Sequence, residues 1–189
     1  MSDARHAAEP AEDEAGPSSL RRRLLWVFAL FVGAGAAAGV LWERLAEPTT
    51  GLAYDGQWYL EPAGPDVSFQ AVAVYILIAF PLGIVLAVLV GRWRGHERAT
   101  VLAVLVAAGV GAAAMYAVGT ALGPPDPQAL AAASPDYTEL PGELGLTAPD
   151  RGRVLWHSTA LLALPGGAML GLAAIYLGGN RATPRRARG

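Results

Sequence analysis

The chain has no cysteine, and the absence excludes disulfides, thiol catalysis and thiolate metal sites. It has no lysine either: all fourteen positive charges are arginine, alongside 23 glycines and 14 prolines, a usage that points to a genome of high GC content. The three histidines, His6, His96 and His157, stand in three separate places, so none pairs with another as metal ligands on one helix. No Gly-x-Ser-x-Gly elbow and no phosphate-cradling loop is present. These gaps argue against an enzyme, a cofactor and a metal centre, and no nucleic-acid partner is expected.

What is there is apolar. Hydrophobic residues make up 53% of the chain, gathered into four long blocks instead of alternating with charge. A soluble core of this size cannot hide four such blocks, so the natural solvent is the lipid bilayer. The first block runs over 24–42; nineteen residues at 1.5 Å each give about 28 Å, enough to cross a hydrocarbon layer of about 30 Å. The others cover 68–90, 99–122 and 154–177. Residues 1–19 are acidic and rich in Ala, Pro and Ser, which predicts a disordered tail. Residues 20–178 form the four-helix domain, and 179–189 a basic tail.

Arginine placement sets the orientation. Eleven of the fourteen lie in the N-terminal flank, the connection 92–98 and the C-terminal tail. The loops 43–67 and 123–153 hold only Arg44, Arg151 and Arg153, against ten acidic residues. The sequence therefore predicts an all-α integral membrane protein with four transmembrane helices, both termini cytoplasmic, and two outer loops. Trp26, Trp42, Trp93 and Trp156 all fall near predicted membrane boundaries, as interfacial aromatics do. A cleaved signal peptide is the competing reading of Arg21–Arg23 and the small residues Ala36 and Ala38. The long apolar stretch and the acidic residues before it argue against cleavage.

Within the spans, glycines recur at four-residue spacing: Gly35 and Gly39, Gly119 and Gly123, Gly167 and Gly171. This puts both members of a pair on one helix face and admits a close neighbour, either inside the bundle or in a second copy. The resemblance of Gly33–Gly39 to a dinucleotide fingerprint fails, because no strand precedes it. Pro81 and Pro165 fall near the middle of the second and fourth spans, where each removes a backbone donor and predicts a kink. No Asp, Glu, Arg or Lys lies mid-span, whereas proton relays and ion-coupled transporters place such groups there. His157 sits only about 4.5 Å into the fourth span on a helical rise, beside Arg153 at the outer interface.

In the first outer loop, Asp55-Gly56 is a turn signal ahead of Trp58-Tyr59-Leu60, and a small β-hairpin is expected there. Trp58 and Tyr59, with Arg153 and His157, are candidates for recognition at the outer face. The acidic residues Glu43, Glu47, Asp55, Glu61 and Asp66 are scattered without ligand spacing and predict no cation site. The second loop, rich in proline, is expected to be irregular except for a short helix over 128–133.

Over residues 24 to 178 the chain resembles a family of actinobacterial membrane proteins catalogued as a domain of unknown function. The residues that carry the resemblance are Gly39-Val-Leu-Trp42 closing the first span, then Leu45-Ala46-x-Pro48, Tyr59-Leu60, the arginine-rich turn between spans two and three, Leu122-Gly123-Pro124, and Pro165 in the fourth span. Pro165-Gly166-Gly167 departs from the bulkier residues expected there. The resemblance implies a bacterial plasma-membrane protein and transfers no catalytic residue. Two functions follow as expectations. One is a non-enzymatic accessory or assembly subunit of an envelope complex, partnered by the bilayer and another membrane protein. The other is a small permease or channel-like protein that associates with itself.

Overall fold

In a computed structural model that describes residues 17–60, 66–92, 97–146 and 158–179, the chain is mostly helical, with four helices long and apolar enough to cross a membrane. They are α1 (Pro17–Leu45), α2 (Asp66–Gly91), α3 (Glu97–Leu122) and, after a short helix α4 (Pro127–Ala131), α5 (Ala163–Gly179). Three strands, β1 (Thr50–Tyr54), β2 (Gln57–Leu60) and β3 (Glu139–Pro141), form one small sheet in the order β2-β1-β3.

The helix boundaries follow local chemistry. α1 starts at Pro17, earlier than the expected end of a disordered tail at residue 19; proline is well suited to a helix's first position, where its missing N–H costs nothing. Residues 1–16 lie outside the described residues. The C-terminal end of α1 is held by Gln70 of α2, whose amide nitrogen donates to the Leu45 carbonyl at 3.5 Å while its oxygen accepts from the Glu47 N–H at 3.1 Å. α3 stops at Leu122, just before Gly123-Pro124-Pro125, where two prolines cannot continue the helical ladder. Asp126 caps α4, its side chain accepting from the Gln128 N–H at 3.0 Å with Pro127 at the first position.

The fourth apolar element corrects the sequence reading. Ser158 is extended (φ −97, ψ 114), and its side chain accepts from the Ala160 N–H, so no unbroken helix runs from residue 154. A 3-10 turn at Thr159–Leu162 leads into α5 instead. Pro165 is then the third residue of α5, directly after that turn and near the start of the helix instead of at its middle. Pro81, by contrast, does sit inside α2.

Two helix pairs build the bundle. α1 packs along α3 and α2 along α5, and the pairs meet where α3 touches α5 and α1 touches α2. The centre is filled by Phe31, Trp42, Tyr75, Met115, Leu164 and Leu172, each at most 2% exposed. Large apolar side chains also cover the perimeter, among them Phe69, Leu77, Leu102 and Leu162, all at least 64% exposed.

The pairing of β1 with β3 brings the two long connections together at one end of the bundle. They form a cap of residues 46–60 and 123–146. The hairpin expected at Asp55-Gly56 is present, with both turn residues at positive φ (49 and 68), the signature of a type I′ turn that matches strand twist. The second connection is more ordered than expected. It contributes α4 over Pro127–Ala131, and β3, whose register pairs Leu52 with Glu139 and Gly51 with Leu140. It then returns to the bundle, where Leu144 and Leu146 are buried with the helix core.

Candidate functional site

Glycine decides how closely the helices approach. A Cβ at Gly35 would strike the Gly111 carbonyl, and one at Gly111 would come within 2.7 Å of the Phe31 carbonyl, so α1 and α3 touch backbone to backbone. Gly39 faces the Met115 carbonyl, and Gly119 lies under the Trp42 ring. In the second pair, Gly83 meets the Leu164 carbonyl and Gly167 the Phe80 carbonyl, and a Cβ at Gly171 would come within 2.8 Å of the Ile84 carbonyl. Gly35, Gly39, Gly167 and Gly171 thus all lie at contacts inside the bundle. Gly123 does not: it follows α3 and packs against Leu144. Gly83 and Gly111 have no glycine four residues away on their own helix, so spacing could not single them out.

Polar side chains also bond between helices within the core. The Trp42 indole N–H donates to the Ala71 carbonyl at 2.8 Å, and the Tyr75 hydroxyl donates to the Ala112 carbonyl at 2.9 Å. The two rings meet edge to face with centroids 5.3 Å apart, a favoured aromatic geometry. Trp42 therefore ties α1, α2 and α3 together and is not a perimeter residue, whereas Trp26, on the same helix, is 66% exposed. Among the described residues no group of three or more acidic, histidine or cysteine side chains could hold a metal.

The cap places side chains differently on the two faces of its sheet. Residues directly opposite across antiparallel strands share a face, so Gly51, Ala53, Trp58, Leu60 and Leu140 lie on one, and Leu52, Tyr54, Gln57, Tyr59 and Glu139 on the other. The first face is covered except at Leu60, which is 42% exposed. Gly51 and Ala53 are buried, the Trp58 ring lies over Gly51, and its indole N–H donates to the Leu140 carbonyl at 3.3 Å. Gln128 of α4 fastens the open edge of β2. Its amide oxygen accepts from the Trp58 N–H and its nitrogen donates to the Trp58 carbonyl, both at 3.2 Å, much as a neighbouring strand would.

The second face is open. Tyr54 is 48% exposed, Tyr59 51% and Tyr137 71%. Tyr137 adopts a positive φ of 65, uncommon for a bulky residue, and stands beside Tyr54 with ring centroids 5.5 Å apart. Its backbone N–H donates to the Ala53 carbonyl at 2.7 Å, and the Asp136 carboxylate accepts from the Asp55 N–H at 2.9 Å, so the hairpin turn and the 135–138 turn hold each other.

Of the sequence candidates for recognition, Trp58 packs inside the cap and Tyr59 stands on its open face. Arg153 and His157 lie outside the described residues, as do Trp93 and Trp156. Gln128 and Tyr137 were not singled out from the sequence, since nothing local marks either as a partner of the hairpin.

Fold and site together define a four-helix apolar bundle with a small mixed cap at one end. Comparison with protein-family models, curated proteins and solved structures finds no match at any of the three levels.

Proposed function

We propose that this is a multi-pass protein of a bacterial plasma membrane, with both termini in the cytoplasm and the cap outside. In this reading it acts without catalysis, as an accessory or assembly subunit of an envelope complex. One observation carries the binding role: a cap cross-linked by hydrogen bonds presents an uncovered aromatic face at the end of a close-packed bundle. Membrane placement draws on the apolar perimeter and on the arginines gathered outside the cap. The test is affinity purification from crosslinked native membranes. A stoichiometric partner supports an accessory subunit; recovery of the protein alone, in every mild detergent, contradicts it.

A homo-oligomeric permease is the second reading. It draws on Gly33 and Gly109, which meet nothing within 4 Å and so leave room on α1 and α3 for another copy. Flux through reconstituted liposomes that Gly109→Leu abolishes would favour it; the absence of flux would count against it.

A further inference from the structure

We propose that the open face of the cap sheet docks an extended, arginine- or lysine-bearing segment of a partner protein. This rests on the accessory-subunit reading and names the chemistry of its partner. Tyr59, Leu52 and Glu139 form one row across the three strands, and Gln57 and Tyr54 begin the next, where Tyr137 stands against Tyr54. Tyr54, Tyr59 and Tyr137 are 48%, 51% and 71% exposed, with no described helix or strand over them. Aromatic rings attract cations over their faces, and aligned rings with nearby carboxylates are the usual cradle for a guanidinium or ammonium group.

Charge selects the occupant. The described cap residues carry six carboxylates (Glu47, Asp55, Asp126, Asp136, Glu139, Glu143) and no arginine, lysine or histidine. Glu139 lies on the open face itself, and Asp55 and Asp136 sit at its hairpin end. Such a surface draws in a cationic chain and repels the anionic headgroups of a membrane. Docking takes the face and not the edges of the sheet. The Trp58 edge groups are already bonded to Gln128, and β3 ends at Pro141, which has no N–H to offer an added strand. Three strands about 4.8 Å apart give a face wide enough for one extended peptide.

The test uses the full chain in nanodiscs and a fluorescein-labelled Gly-Arg-Gly-Arg-Gly-Arg peptide, with citrulline replacing arginine as the neutral control. The arginine peptide is expected to bind, weakening as salt rises, and the citrulline peptide to bind roughly tenfold more weakly. Tyr59→Ser and Tyr137→Asn, which keep every carboxylate, should each weaken the arginine peptide about twofold to fivefold. Asparagine tolerates the left-handed backbone of Tyr137, and Glu139→Gln provides a further variant with no change of shape. Equal binding of both peptides, or tyrosine variants that bind as well as the parent, would overturn the inference. So would a nitroxide on Tyr59→Cys that is reached by oxygen from the lipid phase, since the bilayer would then cover the face. A native partner still recovered by crosslinking from a protein that fails the peptide test would overturn this inference while leaving the accessory-subunit reading in place.

Discussion

The bundle and the cap are held together by opposite means. In the bundle, backbones meet at Gly35–Gly111 and Gly167–Phe80, and two side-chain hydrogen bonds, from Trp42 and Tyr75, cross the core. In the cap, a few apolar residues are locked by side chains bonded to backbone: Gln128 to Trp58, Asp136 to Asp55, Trp58 to Leu140. The contrast is what the proposed placement, with the bundle in lipid and the cap in water, would produce. Between helices in lipid the hydrophobic effect gives little drive, so close packing of small residues must do the work. A cap of this size, if it stands in water, is too small to build a large core and relies on specific polar contacts. The bundle is therefore built for fit and the cap for a fixed surface.

Breaking the bundle should cost most. Trp42→Ala removes the largest fully buried side chain and its bond to Ala71; a loss of about 3–5 kcal/mol is expected, read as a drop in unfolding midpoint in detergent. Gly35→Leu drives a side chain into the Gly111 carbonyl and should cost about 1–3 kcal/mol or more, whereas Gly109→Leu, with nothing within 4 Å, should leave the midpoint unchanged. Equal effects from those two glycines would contradict the packing described.

The cap should respond locally. Gln128→Ala strips both partners from the Trp58 edge and should cost about 1–2 kcal/mol of cap stability, seen as faster amide exchange in β2 with α1–α3 unaffected. The smallest expected loss belongs to Tyr75→Phe in the bundle, which gives up one hydrogen bond to Ala112 between helices; about 0.6 kcal/mol is expected, read from the unfolding midpoint in detergent.

The same contrast explains what the sequence discloses. Four apolar blocks and the spacing of Gly35 with Gly39, or Gly167 with Gly171, announce long helices with close-packing faces, because helix length and periodicity are local properties. Asp55-Gly56 announces a type I′ hairpin for the same reason. The pairing of β1 with β3 is not legible, since a three-residue strand ending in proline carries no pattern and its partner lies more than eighty residues away. Trp42 misleads because a tryptophan near a helix end fits a membrane boundary as well as a core, and only the neighbours Tyr75 and Ala71 decide between them. The start of the last helix is not legible because a continuous apolar run hides the break that the extended Ser158 makes after residue 154. The open face is hidden for a related reason: Tyr137 meets Tyr54 only after the second connection folds back.

The central claim is that the cap faces outwards from a membrane that the bundle spans, with both ends of the chain inside. Because the chain has no native cysteine, single-cysteine labelling with an impermeant maleimide in intact cells tests it directly. Gln57→Cys in β2 should label at once, while Ser19→Cys and Arg92→Cys should label only after the cells are permeabilised. Labelling of Ser19→Cys or Arg92→Cys in intact cells, with Gln57→Cys protected, would invert the orientation and remove the basis for an outer binding face.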